Sequence, residues 1–121
     1  MITPYEDVPD AVAAFRAAGE VTAADYENVL VPAVEDKLGR HKKISLLYHL
    51  GPDFTGFTAG AMWDDTKLGF SHLAAWDKIA LVSDVPWIRH MVEAMGFIIP
   101  AKTRVFDNDH LDEAMAWVSE P

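Results

Sequence analysis

The chain contains no cysteine. That excludes a disulfide framework, a thiolate metal site and a thiol nucleophile. Basic residues are scarce: 10 Lys and Arg stand against 19 Asp and Glu, for a formal net charge of −9. Affinity for nucleic acid comes mostly from Lys and Arg neutralising phosphates, so this balance argues against a nucleic-acid partner. It also argues against passive docking on anionic lipid, which leaves membrane association at most peripheral. No stretch approaches the ~20 apolar residues of a membrane span. The opening residues Met1-Ile2-Thr3-Pro4-Tyr5-Glu6-Asp7 lack the basic region and apolar core of a signal peptide. A cytoplasmic protein is therefore expected. Internal repeats, low-complexity segments and linkers are also lacking, and 121 residues suit one domain, residues 1–121, with a sizeable core.

Signatures of chemistry are equally sparse. None of the five His stands in a His-Glu-x-x-His arrangement. Asp107-Asn108-Asp109-His110 lacks the Gly and terminal Glu of a calcium loop and reads better as a helix cap. Gly51-Pro52-Asp53-Phe54-Thr55-Gly56 has neither the Lys nor the spacing of a phosphate loop. No Ser sits in a nucleophile elbow. Asp64 and Asp65 are adjacent, but neighbouring helix residues point about 100° apart, a poor geometry for paired acids. No metal, no cofactor and no catalysis are expected. The cationic cluster Arg40-His41-Lys42-Lys43 reads as a solvated turn after a helix, whose C-terminal dipole favours cations.

What is present is an alternation of strands and helices. Residues 2 to 7 suit a short edge strand, and Val12 to Ala18 a strand ended by Gly19. Thr22-Ala23-Ala24-Asp25 has the form of a capping box. Tyr26, Val29, Leu30, Ala33, Val34 and Leu38 then recur at helical period, with Pro32 expected to kink the helix. Lys43 to Leu50 is a nearly continuous apolar strand, with Tyr48 and His49 on opposite faces. Gly51 to Thr58 reads as a loop, and Ala59 to Leu73 as a helix with Met62, Trp63, Thr66, Phe70 and Leu73 on its inner face. Ile79 to Ser83 is a second buried strand. Asp84 is expected to cap a helix with Pro86 in its first turn and Ile88, Met91, Val92 and Met95 inward. Thr103 to Phe106 reads as an outer strand, followed by a last helix bearing Leu111, Ala114, Met115 and Val118. Such alternation predicts an α/β fold: a single domain with a mostly parallel sheet of four to five strands and about four helices.

Three stretches carry a resemblance. Gly19-Glu20-Val21-Thr22-Ala23-Ala24-Asp25-Tyr26, Phe54 through Trp63, and Ser83-Asp84-Val85-Pro86-Trp87-Ile88-Arg89 resemble the SpoIIAA-like family of small bacterial proteins, over nearly the whole chain. The resemblance implies a STAS-like fold, shared with anti-anti-sigma factors, and a binding or regulatory role without assigned catalysis. Anti-anti-sigma factors present an acidic residue, a phosphorylatable Ser and a nearby Gly at the start of the second helix. Phe57, Thr58 and Gly60 occupy those positions here, so the hydroxyl survives and the acid does not. Phosphorylation at Thr58, controlling a protein partner, is thus the alternative function; Thr58 as a plain helix N-cap is the simpler reading.

The aromatic residues near one rim of the sheet suggest a site. A mainly apolar ligand-binding pocket is expected between the Gly51 to Thr58 segment, the helix start at Ala59 and the Pro86-Trp87 turn. Phe54, Phe57, Met62, Trp63 and Trp87 would wall it, and the free N–H groups near Thr58 would take a small polar head. With no Lys or Arg in the loop and Asp53 close by, an apolar or amphiphilic molecule, possible lipid included, suits it better than a strongly anionic one. A protein partner and a homodimer stay open.

Overall fold

The computed structural model describes residues 1–121. Five strands form one sheet in the spatial order of the sequence: β1 (Ile2–Pro4), β2 (Val12–Val21), β3 (Ile44–Phe57), β4 (Trp76–Val82) and β5 (Lys102–Phe106). The β1–β2 pairing is antiparallel, whereas β2–β3, β3–β4 and β4–β5 are parallel. The sheet is therefore mixed, not the mostly parallel sheet expected. The physical reason lies in the link from Pro4 to Val12, which is too short for the crossover of about a dozen residues that parallel neighbours need. This remains one α/β domain.

The other connections are helical. α1 (Ala23–Asp25), a π-helical turn (Tyr26–Leu30) and α2 (Val31–Leu38) run on as one segment, followed later by α3 (Ala59–Ser71), α4 (Pro86–Met95) and α5 (Leu111–Ser119), so four helical segments pack on the sheet. Strand order advances in one direction, and right-handed crossovers then put successive helices on the same face. Tyr26, Leu30, Val34, Ala61, Leu68 and Ile88 share one core with Phe15, Tyr48 and Leu81. The chain returns across β5, and Ala114 and Val118 of α5 pack on the opposite face with Leu47, Val82 and Phe106.

Local chemistry accounts for several element ends. The capping box forms as expected: Thr22 Oγ1 accepts from the Asp25 N–H, and the Asp25 carboxylate accepts from the Thr22 N–H. Pro32 does not kink an α-helix. It lies in the first turn of α2, where its missing N–H costs little, and the widened π turn before it absorbs the mismatch. Asp84 does not cap α4; Val85 holds that position without a side-chain bond, while Asp84 accepts from the Asn108 N–H. The basic turn is not free either. Asp10 receives two bonds from Arg40, at 2.9 and 3.0 Å, and one from His41 at 2.7 Å.

The largest departure concerns residues 51 to 58. They are not a loop, because β3 runs on to Phe57 and pairs with an equally extended β2. The register slips between Ala17↔Leu50 and Gly19↔Phe54, so that Gly51-Pro52-Asp53 on β3 stand against the single Ala18 on β2. Proline is tolerated at such a bulge, and Arg16 Nη2 bridges to Asp53 Oδ1 at 3.0 Å across it. Gly19 (φ 62°) and Gly56 (φ 152°) supply the positive angles that keep the irregular pairing going. Gly19 therefore does not end its strand.

α3 is also turned from its expected orientation. Its buried residues are Ala61, Asp64 and Leu68, while Trp63 and Phe70 point outward and Met62 is left partly exposed. The cause is close packing on α1: a Cβ added at Gly60 would sit 3.1 Å from the Ala23 Cβ. Small residues let the backbones approach, and that contact outweighs the burial of larger side chains on the far side.

Candidate apolar groove between two helices

α3 leans on α1, and α4 leans on β5. The two helices are thereby drawn apart over β3 and β4, and the gap is a hollow of about 110 Å³. Its walls and floor include Leu46, Tyr48, Leu68, Ile79, Leu81 and Val92. Gly69, Ala80 and Gly96, also in its lining, are too small to fill it. A second hollow of about 80 Å³ is lined by Tyr26, Phe57, Met62 and Met91. Asp65, Thr66 and Met95 line both, so the two adjoin as one groove.

The groove carries one connected polar line, and apart from it the Thr103 hydroxyl in the lining is buried without a hydrogen-bond partner. The Tyr26 and Tyr48 hydroxyls stand 3.1 Å apart, and the Tyr26 hydroxyl lies 2.9 Å from Asp65 Oδ1. A hydroxyl has a single proton, and a carboxylate oxygen only accepts. Tyr26 therefore donates to Asp65, and Tyr48 donates to Tyr26. Burial, first among the causes, raises both tyrosine pKa values well above their ordinary value, so the hydroxyls keep their protons. Surrounding protein likewise raises the Asp65 pKa, against the lowering effect of the Tyr26 bond. Asp65 is at once enclosed by protein and accessible to solvent. The groove reconciles the two: the carboxylate is walled on most sides and open along the groove, so water moderates the shift. No Lys, Arg or His lines either hollow, and Asp65 forms no ion pair. Its neighbour Asp64 faces the other way and meets Lys67 Nζ at 3.5 Å.

The expected site residues divide. Phe57 and Met62 line the groove. Phe54 lies behind Phe57, ring centres 5.0 Å apart, and Phe57 meets Tyr48 edge-on at 6.2 Å. Thr58 is the N-cap of α3, its Oγ1 accepting from the Ala61 N–H at 3.1 Å. Trp63 and Trp87 stand outside the groove, 63% and 50% exposed. Tyr26, Tyr48, Asp65, Met91 and Met95 complete the groove and were not expected there. Tyr48 in the apolar central strand and Tyr26 at the head of an apolar helical stripe were the available signal, because a buried phenol needs a hydrogen-bond partner.

Other polar groups are occupied elsewhere. On the opposite face, His49 Nδ1 lies 2.8 Å from the Tyr5 hydroxyl. Burial, then the Arg16 charge, lower the His49 pKa. Buried Lys78 donates to the Trp117 and Glu120 carbonyls, closing the C-terminal end of α5. No group of three or more His, Asp or Glu is placed to hold a metal ion. No helix is long and apolar enough to cross a membrane.

Comparison with known proteins agrees with this architecture. The family model described as SpoIIAA-like matches residues 12–119. A crystal structure of an uncharacterised DUF3478-family protein with a SpoIIAA-like fold, from Shewanella loihica PV-4, is similar with a TM-score of 0.75 and 25% identity. The alignment covers 97% of this chain and 93% of that one. No curated protein matches the chain.

Proposed function

The chain belongs to the SpoIIAA-like family, and from that premise we propose that it is a non-catalytic binding domain whose ligand is a small apolar or amphiphilic molecule held between α3 and α4. The observation that carries this reading is the Tyr48-floored hollow of about 110 Å³ opening into the Phe57–Met62–Met91 groove. A well-packed core does not leave such an apolar gap without losing dispersion contacts. Filling it restores those contacts and removes ligand surface from water, at about 25 cal/mol per Å². A cavity of about 150 Å³ takes benzene, so the inner hollow accepts a short alkyl group and a longer tail would lie along the outer groove. The absence of a second acid, a base or a nucleophile beside Asp65 supports binding over turnover.

Native mass spectrometry of freshly purified protein tests this reading, because it reports bound mass and subunit number together. A ligand-sized added mass, lost in a Val92→Phe variant that fills the hollow, is the expected result. Bound mass that survives Val92→Phe would place the ligand elsewhere.

The alternative, a phosphorylation-controlled switch at Thr58, has less in its favour. Its hydroxyl oxygen is already engaged in capping α3, and no Lys or Arg lies between Phe54 and Ala59 to pair with a phosphate. Incubation with bacterial Ser/Thr kinases and mass spectrometry would reveal stoichiometric modification of Thr58 if that switch operates.

A further inference from the structure

We propose that the groove selects a small apolar molecule carrying a protonated primary amine, the ammonium group meeting Asp65 and Thr66 and the alkyl part entering the hollow above Tyr48. This rests on the reading that the groove binds a ligand at all.

Asp65 is the one charged side chain in the groove. Asp25, Asp53, Asp64 and Asp107 each meet a cationic nitrogen within 3.5 Å. Asp65 meets none, and no basic side chain lines the hollows beside it. Its single side-chain bond comes from Tyr26, to Oδ1. A carboxylate offers about four lone-pair sites, so most of its accepting capacity faces the groove. Thr66 adds a second acceptor. Its hydroxyl donates its proton to the Met62 carbonyl at 2.9 Å, which leaves the oxygen lone pairs for an incoming donor. An ammonium group brings three donors and no acceptor, the complement of these two residues.

Competing head groups fit less well. A carboxylate or phosphate would face Asp65 with no cation to offset the repulsion. A neutral hydroxyl would leave the enclosed carboxylate without a counter-charge. A metal ion needs several oxygen ligands, and beyond Asp65 and Thr66 the lining offers only the neutral hydroxyls of Tyr26, Tyr48 and Thr103. The body of the ligand is set by that same lining, and the hollow of about 110 Å³ suits an alkyl chain of about four or five carbons, by comparison with benzene-sized cavities.

Three probes of one chain length separate the possibilities: n-pentylammonium, n-pentanol and n-pentanoate, titrated into isotopically labelled full-length protein at neutral pH and physiological salt, with affinities read from amide and methyl shifts. Pentylammonium is expected to bind at least about tenfold more tightly than pentanol, the scale of one charge-assisted bond, with shifts centred on Tyr48, Asp65 and Met95. Asp65→Asn keeps the side-chain shape and should abolish that preference while leaving pentanol binding unchanged; Thr66→Val should weaken pentylammonium alone. Equal binding of amine and alcohol, or tighter binding of pentanoate, would overturn the amine assignment and leave the groove as a ligand site. Failure of all three probes to bind the parent protein would overturn both.

Discussion

Replacing Tyr26 by Phe removes one oxygen from a fully buried ring and breaks both bonds of the groove's polar line. The Tyr26 side chain is 0% exposed, its hydroxyl 2.9 Å from Asp65 and 3.1 Å from the Tyr48 hydroxyl. A hydrogen bond to a charged group is worth about 1.5–3 kcal/mol, and a stranded buried hydroxyl costs about 1–3 kcal/mol. Asp65 recovers part of its loss from water in the groove, whereas Tyr48, at 7% exposure, recovers little. The net destabilisation should be about 2 kcal/mol, or roughly 5–10 °C in Tm for a domain of this size. Tyr48→Phe alone removes only the outer donor and should cost about 1 kcal/mol. The double variant leaves no stranded hydroxyl, so its cost should fall below the sum of the two singles by about 1 kcal/mol. Urea denaturation of the four proteins measures this directly. A Tyr26→Phe cost under about 0.5 kcal/mol, with additive singles, would refute a coupled line.

Thr58→Ala removes the α3 N-cap and should cost about 0.5–2 kcal/mol, with Thr58→Asn restoring most of it, as thermal denaturation would show. Lys78→Met should cost about 1–3 kcal/mol and speed amide exchange in the last turn of α5, because the Trp117 and Glu120 carbonyls lose their buried cap. His49 has a folded-state pKa below the ordinary value of 6.5, so the unfolded chain takes up the proton first as pH falls. The stability from neutral His49 is present above about pH 6.5 and drains away below it; a His49→Gln variant should show a flatter change in urea midpoint between pH 7.5 and 5.5.

How much of this was legible in the sequence follows from which forces decide each element. Period and punctuation place the strands at Val12, Lys43 and Ile79 and the helices after Thr22 and Pro86, because hydrophobic alternation and capping act locally. The β3 extension was hidden, since Gly51, Pro52 and Asp53 individually favour turns; only pairing with β2 makes them a bulge inside a strand. The outward turn of α3 was hidden for a related reason. Met62, Trp63 and Phe70 dominate any hydrophobic count, yet the Gly60–Ala23 contact sets the helix rotation. That rotation moves Trp63 out of the expected pocket and brings Asp65 into the groove. Phe57 and Met62 both line the groove because the strand-to-helix corner that holds them is fixed by local chain order. The hollow itself depends on how far α3 and α4 stand apart, a property of tertiary packing with no local signature.

The most direct test of the account is a titration of the labelled protein with n-hexanol, an uncharged probe that reports the hollow without involving Asp65. Saturable, one-to-one shifts at Tyr48, Leu68, Val92 and Met95 are expected, absent from Val92→Phe. Shifts that do not saturate, or that centre on the exposed Trp63, Trp87 and Phe97 with Val92→Phe indistinguishable from the parent, would contradict it.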